Sequence, residues 1–426
     1  MQRSFGPWTA SALVVGTMIG AGIFAMPSAL APYGWTAAGG WLIGGAGALA
    51  IGIVIGALTI RYPDEPSIVT ICGDILGLMA GRIMAWSFWV GLIGSAAVLA
   101  IVSGEYTLFL LHVDAPGITG SLIGLGYLLA ITALNLRGVK EAGRFQVATT
   151  VLKLMPLALV IGIALTLAFT RSETYAQSPA VPFDAGQLVP VIGVSFFALL
   201  GFETVGMLTQ RVRNPARNVP LATVFGLLLV VLIYFGVSMG IVLATPPEAL
   251  RTDAAPVATF TRTFVGAWAA GGIALFATIS AIGTLNSATL MLDDIPFGMV
   301  RDGQLPEWMA PQGGNGIGRR PILLGVGLTV VLVLASNYSL GERLLDFLLR
   351  LTIATNILFY VGICLAAFRV GTQRVLSVVG VVFSAVLLYG TGTEASLLGL
   401  ALMAVGVAAH AAIGGRTAPR GSVPAE

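Results

Sequence analysis

The sequence predicts an all-α polytopic membrane protein with 12 transmembrane helices, a single domain over residues 1–426. Three observations carry that expectation. The chain is 57% hydrophobic and only 10% charged, where soluble domains carry about 25% charged residues. Its 55 glycines suit helices that approach one another closely in lipid. Apolar runs of about 20 residues, the length that crosses a bilayer, recur along the whole chain. They fall near 8–31, 36–60, 82–111, 118–136, 143–169, 187–210, 219–244, 257–292, 320–337, 343–368, 373–390 and 394–414.

Composition excludes several function classes. His112 and His410 are the only histidines, Cys72 and Cys364 the only cysteines, and none has metal-ligand spacing. No metal, cofactor or disulfide is expected. An enzyme would need acids, histidines or ligands clustered near one face, and a channel a filter motif or charged rings; neither pattern is present. A net charge of +3 does not point to nucleic acid. The basic, apolar start ending in Ala29-Leu30-Ala31 imitates a signal peptide, but its apolar run is too long and further spans follow. It is read as the first span.

The basic residues orient the chain. With a cytoplasmic N-terminus, about 17 of the 22 Lys and Arg fall at the inner side, in the fifth span or in the tail. The opposite loops, such as "LHVDAPG" and "GTGTEAS", are nearly free of base. That is the positive-inside pattern, and an even number of spans places both termini in the cytoplasm. A cytoplasmic (inner) membrane location follows as the expectation, with residues 415–426 as a cytoplasmic tail.

The first span carries "GTMIGAGIFAMPSAL", with glycines at 16, 20 and 22 and a proline at 27. Irregular backbone at membrane depth survives only where it is buried in protein or lines a cavity. A helix that stops at Gly20, Ala21 and Gly22 and restarts leaves the amides of Ile23 and Phe24 free. Pro27 also releases the Ile23 carbonyl four residues earlier. The free amides form a positive helix end suited to a carboxylate. The alternative is a glycine-lined packing face. The sixth span, "VIGVSFFALLGFETVGMLTQ", has Gly201 at mid-depth beside Glu203 and runs in the opposite direction. Interrupted helices at matching positions of two halves point to an inverted repeat with its binding site between them. The carbonyl end near Phe197 and Ala198 then faces an ammonium.

Four motifs in order carry a family resemblance: "GTMIGAGIFAMPSALA", "VKEAGRFQVATTVLKLMPL", "FFALLGFETVG" with the following "RVRNPARNVPLAT", and "RDGQLPEWMA". They resemble the amino acid–polyamine–organocation superfamily over nearly the whole chain, nearest to its basic amino acid/polyamine antiporter branch. The resemblance implies a 5+5 inverted repeat with discontinuous helices 1 and 6 plus two extra C-terminal helices. Repeat one would cover about 8–169, repeat two about 187–368, and helices 11 and 12 about 373–414. It implies a secondary active transporter of amino acids working by alternating access, expected to be proton-coupled. An exchanger of basic amino acids and polyamines is the alternative, and a transport-dead sensor or channel the reading from another class. Expected partners are a small-molecule amino acid or amine, protons and the lipid bilayer, with a homodimer left open.

The resemblance also assigns positions. Phe197 stands where the antiporter branch has a tryptophan gate, Ser95 where it has an asparagine, and Ala288 where it has a second tryptophan. These departures describe a roomy, mostly apolar pocket that favours neutral amino acids over polyamines. Lys153 resembles the helix 5 lysine of proton-coupled transporters, whose ammonium replaces a bound sodium ion. On residues alone, Lys153 is either that group or a lysine snorkelling to the interface. Glu203 is a proton-sensing carboxylate or a structural one tying down broken backbone. Glu105 reads as a solvated helix-end charge, Asp293-Asp294 as part of an inner salt-bridge network, and Asp346–Arg350 as an i,i+4 pair. Thr355 and Asn356 are polar candidates for the site wall. The expected substrate site is Gly20, Ala21, Gly22, Ile23, Ser95, Phe197, Ala198, Gly201, Ala288 and Thr355, with Lys153 and Glu203 for proton coupling.

Overall fold

The computed structural model describes residues 6–20, 22–65, 67–114, 117–136, 142–170, 181–207, 209, 212–301, 319–339 and 342–413. Helices dominate it, and no strand occurs among the described residues. The first span is two helices, α1 (Pro7–Met18) and α2 (Gly22–Leu30), bent by 44°. The chain then forms α3 (Thr36–Arg61), α4 (Ile68–Leu76), α5 (Leu78–Leu111), α6 (Gly117–Leu136) and α7 (Ala142–Thr170). The sixth apolar run contains α8 (Leu188–Leu199) and a single turn, α9 (Thr204–Met207).

Helix α10 (Pro215–Ala244) starts with proline at its first position, where the missing amide costs nothing. Two short helices follow, α11 (Pro247–Arg251) and α12 (Pro256–Phe264), then α13 (Ala267–Arg301) and α14 (Arg319–Ser339). The chain finishes with α15 (Glu342–Arg369), α16 (Arg374–Gly390) and α17 (Thr393–Ile413).

Among the described residues, seven helices are long and apolar enough to cross a membrane, or nine if two bent pairs each count as one span. One pair is α1 with α2, the other α16 with α17, which meet at 117°. The protein is therefore polytopic on length and composition alone.

Helix α5 is the centre of the bundle. It packs along α13, α15 and α6, while α3 packs along α10 and α8, and α1 along α10 and α7. The spans of α5 and α15 are the most buried of those long enough to cross, and that of α7 the least. Trp41 and Tyr234 meet edge to face at 5.7 Å where α3 crosses α10. Trp86 of α5 donates its indole hydrogen to the Leu402 carbonyl of α17 at 3.0 Å, and Trp89 to the Leu292 carbonyl of α13 at 3.2 Å. These two indole bonds tie α17 and α13 to α5.

On the face where α2 ends, Ser28 donates to the Asp253 carbonyl at 2.7 Å. This anchors the α11–α12 segment to α2. The Asp253 carboxylate accepts the Ala255 amide at 2.8 Å. Burial holds that carboxyl above its ordinary value, against the lowering by the Ala255 and Thr259 hydrogen bonds and Arg262. Arg262 itself lies 5.3 Å over the Phe109 ring of α5.

Candidate functional site

The end of α1 is a helix terminus inside the protein, so its last carbonyls must find partners. Side chains from three other helices supply them. The Thr17 hydroxyl turns back to Leu13 and Val14 at 2.8 and 3.0 Å. Lys153 of α7 donates its ammonium to the Gly16 carbonyl at 3.0 Å. Tyr234 of α10 donates to the Met18 carbonyl at 2.7 Å, and the Gly20 amide to the same oxygen at 2.9 Å. The Ile19 carbonyl accepts from Ser280 and Thr284 of α13, each at 3.3 Å. Thr284 also accepts the second Lys153 bond, at 2.9 Å. Lys153 is only 1% exposed, so its charge is met by protein alone.

The interruption between α8 and α9 is closed differently. Leu200 leaves the helix with ψ 142° and Gly201 takes φ +111°, a conformation that only glycine reaches without strain. Both carboxylate oxygens of Glu203 lie 3.2 Å from the Gly201 amide. The Tyr360 hydroxyl approaches the same carboxylate without reaching hydrogen-bond geometry, and its ring stacks on Phe202 at 5.7 Å. The two breaks touch: the Thr17 hydroxyl oxygen lies 3.2 Å from the Gly201 carbonyl oxygen. A β-carbon on Gly201 would sit 3.1 Å from the Thr17 carbonyl carbon.

A cavity of 90 Å³ lies between these breaks and α5, α13 and α15. One water needs roughly 10–15 Å³ on this measure, so the space suits a small organic molecule. Gly20, Gly22, Phe197, Ala198 and Gly201 bring the broken backbone to it, and Ser95 and Ala288 form part of the opposite wall. Because Gly22 begins α2, the positive end of that helix opens onto the cavity. The remaining polar lining comes from Thr17, Glu203, Thr204, Thr284, Ser287 and Asn356.

Some expected residues sit elsewhere. Thr355 does not line the cavity: its hydroxyl turns to the Thr352 carbonyl at 2.9 Å and its own carbonyl accepts the Ser87 hydroxyl. Successive helix residues point about 100° apart, and the next one, Asn356, faces the cavity instead. The Ile23 side chain is fully buried in the core, leaving only its first-turn amide as a candidate. Pro27 lies inside α2, which runs through it; Gly20 follows the end of α1 and Gly22 begins α2. The hydroxyl that meets Lys153 is that of Thr284 on α13, a residue the sequence did not single out. Ala21, residues 139–141 of the second motif and residues 302–310 of the fourth lie outside the described residues. So do the side chains of Asp293, Asp294 and Asp346. Arg350 donates to the Gly390 carbonyl at 3.0 Å and the Tyr33 hydroxyl at 3.4 Å. Glu105 is partly buried and lies against Gly120 of α6, so it is not a freely solvated charge.

The amino acid permease family model matches residues 5–412. The chain belongs to the amino acid permease family. Among its relatives, the cadaverine/lysine antiporter of Escherichia coli (strain K12) is 24% identical over 408 residues, covering 92% of this chain and 90% of that protein. An uncharacterized transporter of Mycobacterium tuberculosis (strain ATCC 25618 / H37Rv) is 27% identical over 422 residues, covering 96% and 91%. The permease is thus a multi-pass membrane transporter of a small molecule, and not an enzyme.

Thr284 is the residue of this permease that sequence reasoning missed. A serine or threonine at i−4 from Ala288 was the available signal, since i and i+4 share a helix face. Nothing in the apolar pattern separates it from the many hydroxyls that only bond back to their own helix.

Proposed function

We propose that this permease is a proton-coupled secondary transporter of neutral amino acids, working by alternating access across the cell membrane. The observation that carries the proposal is that both helix interruptions border one cavity. In this reading the substrate carboxylate meets the amides of Gly22 and Ile23 at the start of α2. The ammonium meets the carbonyl end of α8 at Ala198, and the side chain points toward Ser95 and Ala288. Gly20, Ala21, Phe197 and Gly201 complete the site. Both poles of a zwitterion are then held by backbone, which leaves the side-chain pocket free to set specificity.

The same reading takes the chain as 12 spans with both termini in the cytoplasm and a 5+5 inverted repeat. Pairing of α3 with α10, α5 with α13 and α6 with α14 supports the repeat, because each pair joins helices five spans apart. Lys153 is the proton site, standing in for a cation between α1, α7 and α13. Glu203 is the other candidate. Exchange, as in the Escherichia coli antiporter named for cadaverine and lysine, is the second reading. The large apolar share of the cavity lining, with Phe88, Leu92, Leu99 and Met291, favours neutral substrates over it.

The test is uptake of labelled neutral amino acids, lysine and cadaverine into proteoliposomes, with and without a pH gradient. Neutral substrates accumulated under an imposed gradient are the expected result; saturable uptake of lysine or cadaverine alone would overturn the substrate class. The pocket wall gives a further prediction. Replacing Ser95 or Ala288 by Trp fills the distal space, so the ratio of small to large substrates should rise about tenfold, the effect of one or two methylenes in a tight pocket. Phe197→Ala should raise the substrate dissociation rate. Unchanged selectivity in all three variants would place the side-chain pocket elsewhere.

A further inference from the structure

We propose that Asn356 is a specificity-determining residue: its side-chain oxygen accepts a hydrogen bond from a hydroxyl or carboxamide on the substrate's side chain. The inference rests on the reading of the cavity as an amino acid site and narrows the substrate to neutral polar amino acids.

The orientation of the carboxamide is fixed by chemistry. Its nitrogen lies 3.0 Å from the Thr352 carbonyl, and a carbonyl only accepts, so that end must be the NH₂ and the other the oxygen. Asn356 is 4% exposed, and its oxygen is buried without a hydrogen-bond partner. Buried acceptors are nearly always paired, so an unpaired one calls for a cause. The other buried side-chain atoms without partners include those of Trp41, Asn135, Thr223, Tyr360 and Ser377. None of their residues lines the cavity; Asn356 does.

The opposite helix is shaped around this group. A β-carbon at Gly91 of α5 would overlap the carboxamide, so glycine there lets the amide lie between α15 and α5 at the cavity wall. The cavity lining sets the hydroxyls of Ser95 and Ser287 among the apolar Phe88, Leu92 and Met291. Glu203, the one carboxylate among the described lining residues, is engaged by the Gly201 amide. A second ammonium on the substrate would carry a desolvation cost in this mostly apolar lining, whereas a neutral donor would satisfy the Asn356 oxygen at no such cost.

The experiment uses two pairs of near-isosteric competitors, threonine with valine and asparagine with leucine, against labelled uptake in proteoliposomes. Wild type is expected to prefer the polar member of at least one pair. Asn356→Leu should lower that preference by about fivefold to tenfold, the effect of one hydrogen bond. Asn356→Ser, too short to reach the same position and small enough not to press on Gly91, should lower it similarly if the leucine variant does not fold. A preference for valine and leucine in wild type overturns the proposal, as does a ratio unchanged in the variants. Stronger competition by lysine or cadaverine than by any neutral amino acid overturns it together with the neutral class. Failure of wild type to take up any of these labels removes the amino acid site itself.

Discussion

Gly201→Leu is expected to abolish transport while leaving membrane insertion intact. At φ +111° a leucine pays roughly 1–3 kcal/mol of backbone strain. Its β-carbon would stand 3.1 Å from the Thr17 carbonyl carbon and 3.2 Å from the Met18 amide nitrogen. Those are backbone atoms, so relief requires moving the end of α1, which Lys153, Tyr234, Ser280 and Thr284 hold in place. The rest of the side chain has only the cavity to enter. Gly20→Leu meets softer neighbours, the Thr284 methyl at 3.0 Å and a Leu99 methyl at 3.2 Å, yet it too fills the proposed substrate space. Each ~1.4 kcal/mol of strain or lost contact is worth a factor of ten in binding. Uptake normalised to inserted protein should therefore fall at least about a hundredfold for Gly201→Leu. Near-normal substrate affinity in either variant would move the site away from the breaks.

Lys153→Ala is expected to uncouple transport from the pH gradient while substrate binding remains measurable. The ammonium ties α7 to the Gly16 carbonyl and to Thr284 of α13. Hydrogen bonds to a charged donor contribute about 1.5–3 kcal/mol each, and they weaken when the proton leaves. The tie is thus present in the protonated carrier and loosened in the deprotonated one. A differential of that size biases a two-state equilibrium tenfold or more. Alanine leaves the bundle without the switch, so exchange should continue while accumulation driven by a pH jump disappears. Lys153→Gln keeps a donor without the charge and should also lose accumulation; a lysine of merely structural importance would tolerate it. If gradient-driven accumulation survives in Lys153→Ala, Glu203 becomes the proton site.

Burial and backbone breaks are legible in the amino-acid sequence because each leaves a mark on residue type. Lipid admits few charges, so the spans show as apolar runs. Broken helices need glycine, so Gly20, Gly22 and Gly201 mark the breaks and Lys153 stands out as a cation in an apolar run. Other features leave no such mark. Thr284 looks like any helix hydroxyl that bonds back along its own turn. Thr355 and Asn356 are adjacent polar residues on one helix, and only the rotation of α15 against α5 decides which one faces the cavity. Pro27 is a helix breaker by propensity, yet α2 continues through it.

Sequence alone therefore determined the membrane class, the positions of the two interruptions and the chain's likeness to amino acid transporters. Those follow from solvation and local backbone preference, which each residue carries with it. Tertiary structure decided which groups meet across helices: Lys153 with Gly16 and Thr284, Thr17 with Gly201, and the carboxamide of Asn356 with the gap left by Gly91. These depend on how whole helices rotate and cross, a property of the packed bundle that no single residue encodes.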